Sequence, residues 1–237
     1  MTTTSGRRRL ARRAGALYLV LFVTGSFPIM VRTGLVKAGD TDSTITNILE
    51  SEMLFRLSIV SELIMAVAWL CVAFVLFRLF EHSNKSVASF FLLLVVVGVA
   101  TICANLVFQV GALILARGEG PLAIFDQEHT RASAMFFLTL FSRGWTVSGL
   151  FTGLWLLPLG YLVFTSGWFP KVLGALLMAG CLGYLVPVVT VFLLPSHQAW
   201  NLPAMSVSGI AEISFGLWLL VRGVLPESSA TPLTSSA

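Results

Sequence analysis

Charge is what this chain has least of: Asp, Glu, Lys and Arg make up 11% of its 237 residues, while 57% are hydrophobic. A soluble domain carries about 25% charged residues, so a mean hydropathy of +0.90 requires an apolar solvent around much of the surface. Cysteine is nearly as scarce. Cys71, Cys103 and Cys181 each fall inside an apolar stretch with no CxxC spacing, which reads as small core hydrophobes rather than a disulfide framework or a zinc site. The three histidines, His82, His129 and His197, map to loops on different hairpins, so a bis-histidine haem has no imidazoles at membrane depth. HExxH, GxSxG and a phosphate-cradling glycine loop are all absent, which argues against zinc proteases, elbow-type serine hydrolases and nucleotide-driven pumps. No cofactor is expected. Asp126, Gln127, Glu128 and His129 stand too close together to be more than a solvated acidic turn.

What the chain does have is apolar length. Crossing about 30 Å of hydrocarbon takes roughly 20 helical residues, and six runs meet this: about residues 14–31, 57–77, 87–116, 144–165, 172–194 and 203–225. Alternation of period two is missing, so helices rather than barrel strands must satisfy the backbone in lipid. The expected fold is an all-α membrane protein, a bundle of six transmembrane helices. It divides into a basic cytoplasmic N-terminus (1–13), a single transmembrane domain (14–225) and a disordered, Ser/Thr/Pro-rich cytoplasmic tail (226–237). An Arg-rich start before an apolar run also suits a signal peptide, but the run ends in Phe27, Pro28, Ile29 and Met30 without a small-residue cleavage site, and reads as a retained helix.

Orientation follows from the basic residues. With the N-terminus inside, Arg7, Arg8, Arg9, Arg12, Arg13, Arg78, Lys85, Lys171 and Arg222 are cytoplasmic, against Arg32, Lys37, Arg56, Arg117 and Arg131 outside. Both termini are therefore expected inside. The arginine cluster reads as a topology signal and a lipid-headgroup contact; no basic stripe recurs elsewhere, so a nucleic-acid partner is not expected. In the first outer loop, Ile45, Ile48, Leu49 and Met53 at helical spacing predict a short helix leading into the second span. Residues 132–141 are read as an interfacial extension of the fourth span. GLWLLPLG (153–160) and GLWLLVRG (216–223) are a weak internal echo, as consistent with convergence as with duplicated hairpins.

The stretch GLFTGLWLLPLGYLVFTSGWFPKVLGALLMAGCLGYLVPVV (149–189) resembles the membrane family catalogued as domain of unknown function 4386. RRAGALYLVLF (12–22), the SEL at 61–63 and EISFGLWLLVRG (212–223) fit the same family, so the likeness runs from about residue 10 to 223. The resemblance implies a six-helix protein of the bacterial cell (inner) membrane. It implies no substrate or mechanism.

Two carboxylates interrupt the spans, Glu62 and Glu212. A central acid costs about 2.5–3.5 kcal/mol on insertion, so each must face the bundle, be protonated or find a partner. Ser58 and Ser208 precede them by one turn on the same face, and Asn105 shares a face with Gln109 on the third span. Arg143, at the boundary of the fourth span, is placed to reach inward as counter-ion. Together Glu62, Asn105, Gln109, Arg143 and Glu212 would line an outward-facing polar pocket; alternatively they bond one another as helix glue. Pro28, Pro158 and Pro187 free backbone carbonyls within spans, and Gly149 and Gly153 permit close helix approach, within one chain or between chains. The pattern favours a small transporter or proton- or ion-coupled carrier with an unidentified small-molecule or ion ligand. The alternative is a sensor or interaction subunit acting on a partner membrane protein, with an intramembrane enzyme third. A homo-oligomer is left open.

Overall fold

The structure, a computed structural model, describes residues 4–118 and 126–225. Among the described residues eight α-helices follow in order: α1 (Thr4–Leu35), α2 (Thr41–Glu50), α3 (Glu52–Phe80), α4 (Lys85–Arg117), α5 (Gln127–Leu154), α6 (Leu156–Thr165), α7 (Lys171–Phe192) and α8 (Asn201–Val221). A short 3-10 stretch, Pro195–Trp200, joins the last two, and no strand occurs among the described residues. Six helical segments among the described residues are long and apolar enough to cross a bilayer, with α5 and α6 together forming the fourth. The protein is an all-α, multi-pass membrane protein. The tail at 226–237 lies outside the described residues.

The spans run longer than apolar composition suggests, because polar residues cap the helices beyond the hydrocarbon. Asn84 accepts the Val87 N–H at 3.1 Å and so starts α4 two residues before its apolar run. Asp126 accepts the His129 N–H at 3.0 Å and starts α5 well before residue 144, so residues 132–141 are turns of one long helix. His129 thus stands in the first turn of α5 and His197 in the 3-10 stretch, where loops were expected. The fourth span breaks at Trp155. Pro158 has no N–H for the carbonyl four residues back, and the helix is divided there into α5 and α6.

Helices α1 and α3, α4 and α5, and α7 and α8 pack as pairs, and α1 also contacts α8. The main core joins Tyr18, Trp69, Trp155 and Phe215, with the Trp155 ring edge-on to Trp69 at 5.7 Å and stacked on Tyr18 at 6.3 Å. A smaller core of Val31, Leu35, Ile48, Phe55, Leu113 and Leu138 closes one end, with α2 laid across it. Ile45 and Ile48 face inward, as the spacing predicted, whereas Met53 belongs to α3 and is exposed. Asn47 ties α2 to α1 by donating to the Leu35 carbonyl at 3.1 Å. Ion pairs Arg131–Asp42 at 2.8 Å and Arg117–Glu52 at 3.2 Å pin the same end. At the opposite end, Arg7 lies 4.7 Å over Trp168, and Arg12 donates to the Val221 carbonyl at 3.5 Å. Bulky apolar side chains such as Val67, Phe74, Leu93, Val107 and Leu182 point outward, as a lipid-facing surface requires.

Candidate functional site

Proline shapes the first site. Pro28 cannot bond the Thr24 carbonyl, and Ser61 of α3 reaches across to donate to it at 2.8 Å. That bond fixes α1 against α3 one residue before Glu62. Glu62 is only 1% exposed, yet it is not alone: the Arg32 guanidinium, 17% exposed, donates to its Oε1. Arg32 is in the last turns of α1, because the helix continues to Leu35 rather than ending at residue 31. Its guanidinium carbon lies 4.9 Å from the Phe141 ring centre and 5.9 Å from that of Trp145, both on α5.

One turn from Glu62 on α3, buried Ser58 donates to the Phe55 carbonyl at 2.7 Å and accepts from Gln109 Nε2 at 3.2 Å. Asn105, one turn from Gln109, donates to the Phe141 carbonyl at 2.9 Å. The antiparallel helices α3 and α4 therefore set Ser58 level with Gln109, and Glu62 toward the level of Asn105. Gly144 makes this possible on the α5 side: a Cβ there would stand 1.8 Å from Asn105 Oδ1. Two buried acceptors in this group, Asn105 Oδ1 and Gln109 Oε1, have no hydrogen-bond partner, and the Trp145 indole N–H is close enough to the Glu62 carboxyl to interact with it. A cleft of about 370 Å³ at the α2 end is lined by Arg32, Thr33, Val36, Leu138, Phe141, Ser142 and Trp145.

Glu212 belongs to a different group. Tyr184 of α7 donates to its Oε1 at 2.8 Å, and Tyr18 of α1 stands near the same carboxyl with its own hydroxyl unpartnered. Ser208, one turn away, donates to the Gly180 carbonyl at 2.6 Å and serves the packing of α7 on α8. A second cleft, about 200 Å³, is bounded by Gly149, Thr152, Tyr184 and Pro187, and Trp145 lines both clefts. Gly153 touches α7, where a Cβ would meet Tyr184 Cβ at 2.6 Å, whereas Gly149 faces open space.

Of the residues singled out from the sequence, Ser58, Glu62, Asn105 and Gln109 thus lie together, while Glu212 and Ser208 lie on α8 with other partners. Arg143 is exposed, and the cation bonded to Glu62 is Arg32. Arg32 escaped notice because it follows the apolar run directly and reads as a loop residue; Tyr184 did so because an aromatic ring inside an apolar run reads as core. The one signal for Arg32 was its position at the edge of a span, within reach of the interior for so long a side chain. Cys71 is exposed and Cys103 half-buried, so of the three cysteines Cys181 alone is buried in the core.

The chain is 34% identical over 96 residues to an uncharacterised protein of Archaeoglobus fulgidus, a match covering 40% of this chain and 56% of that relative's length. No solved structure matches. Residues 13–223, nearly the whole helical bundle, match the family described as "Domain of unknown function (DUF4386)", and the chain belongs to that family.

Proposed function

We propose that the protein is a small membrane carrier that takes up a polar solute in the cleft at the α2 end and passes it across the bilayer. One observation carries this reading: an ion pair between half-buried Arg32 and buried Glu62 lies within the spanning helices, and its cation lines a cleft open at that end. A pair meant only to join helices is costly in lipid, and hydrophobic packing serves that purpose as well or better. Ion pairs kept at this depth mark solute and ion paths.

In this reading the cleft faces outward and both termini are cytoplasmic, in the inner membrane of a bacterial cell. The end opposite α2 supports that orientation, because it gathers Arg8, Arg9, Arg12, Arg13, Lys85 and Lys171. The bacterial setting rests on the family resemblance. Solute flux into proteoliposomes holding the purified chain tests the proposal. Flux that is lost in Glu62→Gln, with the variant still folded, supports a carrier. No flux, together with one stoichiometric membrane-protein partner on purification, would transfer the protein to the sensor class.

A further inference from the structure

We propose that the solute taken by the cleft at the α2 end is a monocarboxylate with an apolar body, which binds Arg32 while one proton from solution passes to Glu62. This rests on the reading of that cleft as a solute site. Among the described residues, its wall holds one charged group, the Arg32 guanidinium, with the hydroxyls of Thr33 and Ser142 and no acidic side chain. Such a lining offers an anion a partner and a cation none. Arg32 makes one hydrogen bond among the described residues, to Glu62 Oε1, which leaves most of its five N–H donors for a ligand. The rings of Phe141 and Trp145 carry the guanidinium, and a guanidinium so held takes both oxygens of a carboxylate side by side. Val36, Leu138 and the two rings give apolar wall to the rest of the molecule, and about 370 Å³ falls within the size range of small-molecule sites.

Charge decides what happens to Glu62. It lies behind Arg32, 1% exposed and outside the cleft wall, so the solute meets Arg32 alone. An anion added to the intact pair leaves one uncompensated negative charge among spanning helices. The sum returns to zero when Arg32 exchanges the Glu62 carboxylate for the solute's and Glu62 takes up one proton. Arg32 is the charged group that acts on Glu62 among the described residues; Trp145 on α5, which also interacts with it, and Asn105 and Gln109 on α4 do not titrate. Protonated, Glu62 brings an O–H to an interior in which Asn105 Oδ1 and Gln109 Oε1 are buried acceptors without a donor, a lack that native interiors rarely carry.

The experiment is titration calorimetry on the detergent-purified full chain with butyrate and benzoate, their amides as neutral probes, and butylamine and benzylamine as cations. Wild type is expected to bind at least one carboxylate about tenfold more tightly than its amide or amine. Repeating the titration in buffers of different ionisation enthalpy counts protons, and about one should be taken up per carboxylate bound at neutral pH, with affinity falling about tenfold for each pH unit gained. Glu62→Gln, which mimics the protonated acid, should bind the carboxylate at least as tightly with no proton uptake and no pH dependence, while Arg32→Gln should lose binding at least tenfold. The wild-type proton count decides even where a variant fails to fold. Preference for an amide or amine, or carboxylate binding without proton uptake, overturns the inference and leaves the solute cleft standing. No binding of any probe beside measurable proteoliposome flux of a sugar does the same. Carboxylate binding with proton uptake but no flux sustains the site and overturns the carrier, and neither binding nor flux overturns both.

Discussion

The guanidinium of Arg32 and the carboxylate of Glu62, 30 residues apart in the chain, meet inside the bundle between α1 and α3, and the rest of the site is arranged around that bond. Because Glu62 is the more deeply buried partner, the two single substitutions are unequal. Arg32→Gln strands a carboxylate in an apolar setting and is expected to cost about 3–5 kcal/mol, the range for a broken buried pair. Glu62→Gln leaves a guanidinium that can turn to the cleft and should cost less. The double variant should recover part of the loss. Reversible unfolding in detergent, followed by far-UV circular dichroism, measures all three.

Ser61 and Pro28 form a cycle of their own. Ser61→Ala removes the donor to the Thr24 carbonyl and should cost about 1 kcal/mol. In a Pro28→Ala background the helix supplies its own N–H to that carbonyl, so Ser61→Ala should become nearly silent. A double-mutant cycle reads the coupling directly. Additive effects would show that the serine does not serve the carbonyl released by the proline.

Two glycines on α5 should answer oppositely to the same change. At Gly144 an added methyl runs into Asn105 Oδ1, so Gly144→Ala is expected to destabilise by about 1–3 kcal/mol and to displace the Asn105 side chain. At Gly149 nothing lies within 4 Å, and alanine should be neutral or stabilise by up to about 1 kcal/mol through helix propensity. Melting temperatures of the two variants, purified side by side, decide it.

Tyr184→Phe leaves Glu212 Oε1 without the one hydrogen bond it has among the described residues, and should cost about 1–3 kcal/mol. Binding at the Arg32 cleft should be unaffected, because Glu212 has separate partners. Loss of solute binding in this variant would show that the two groups work as one site.

Outside the membrane, Asp126 caps α5, and its bonds to the backbone and ring of His129 hold its carboxyl below the ordinary aspartate range. A lowered folded value means the cap's contribution is present above the unfolded value, about pH 3.9, and is lost as pH falls through the folded one. Amide exchange in the first turn of α5 should therefore speed up below about pH 4, relative to the intrinsic rate, and stay flat above it. Asp126→Asn should remove that pH dependence.

The six spans were legible because apolar length is a one-dimensional property that lipid enforces on each helix separately. Ser58, Asn105 and Gln109 were legible too, since i to i+4 spacing fixes which residues share a face. Partnership was not. Whether Glu62 meets Arg32 or Arg143 depends on how α1 and α5 pack beside α3, and no residue in the chain states that crossing. Glu212 shows the same limit: its acid was plain, but Tyr184 became its partner through the pairing of α7 with α8. The capping residues Asn84 and Asp126 moved helix starts outward by satisfying backbone donors that hydropathy ignores.

Ser142 lines the same cleft as Arg32, so its reactivity reports whether water enters there. Ser142→Cys, in a chain whose three native cysteines are replaced, can be exposed to a membrane-impermeant maleimide on intact cells. An outward-facing cleft predicts rapid labelling from outside, slowed by a solute that fills the cleft. Labelling that appears only after the membrane is opened, or not at all, would contradict it.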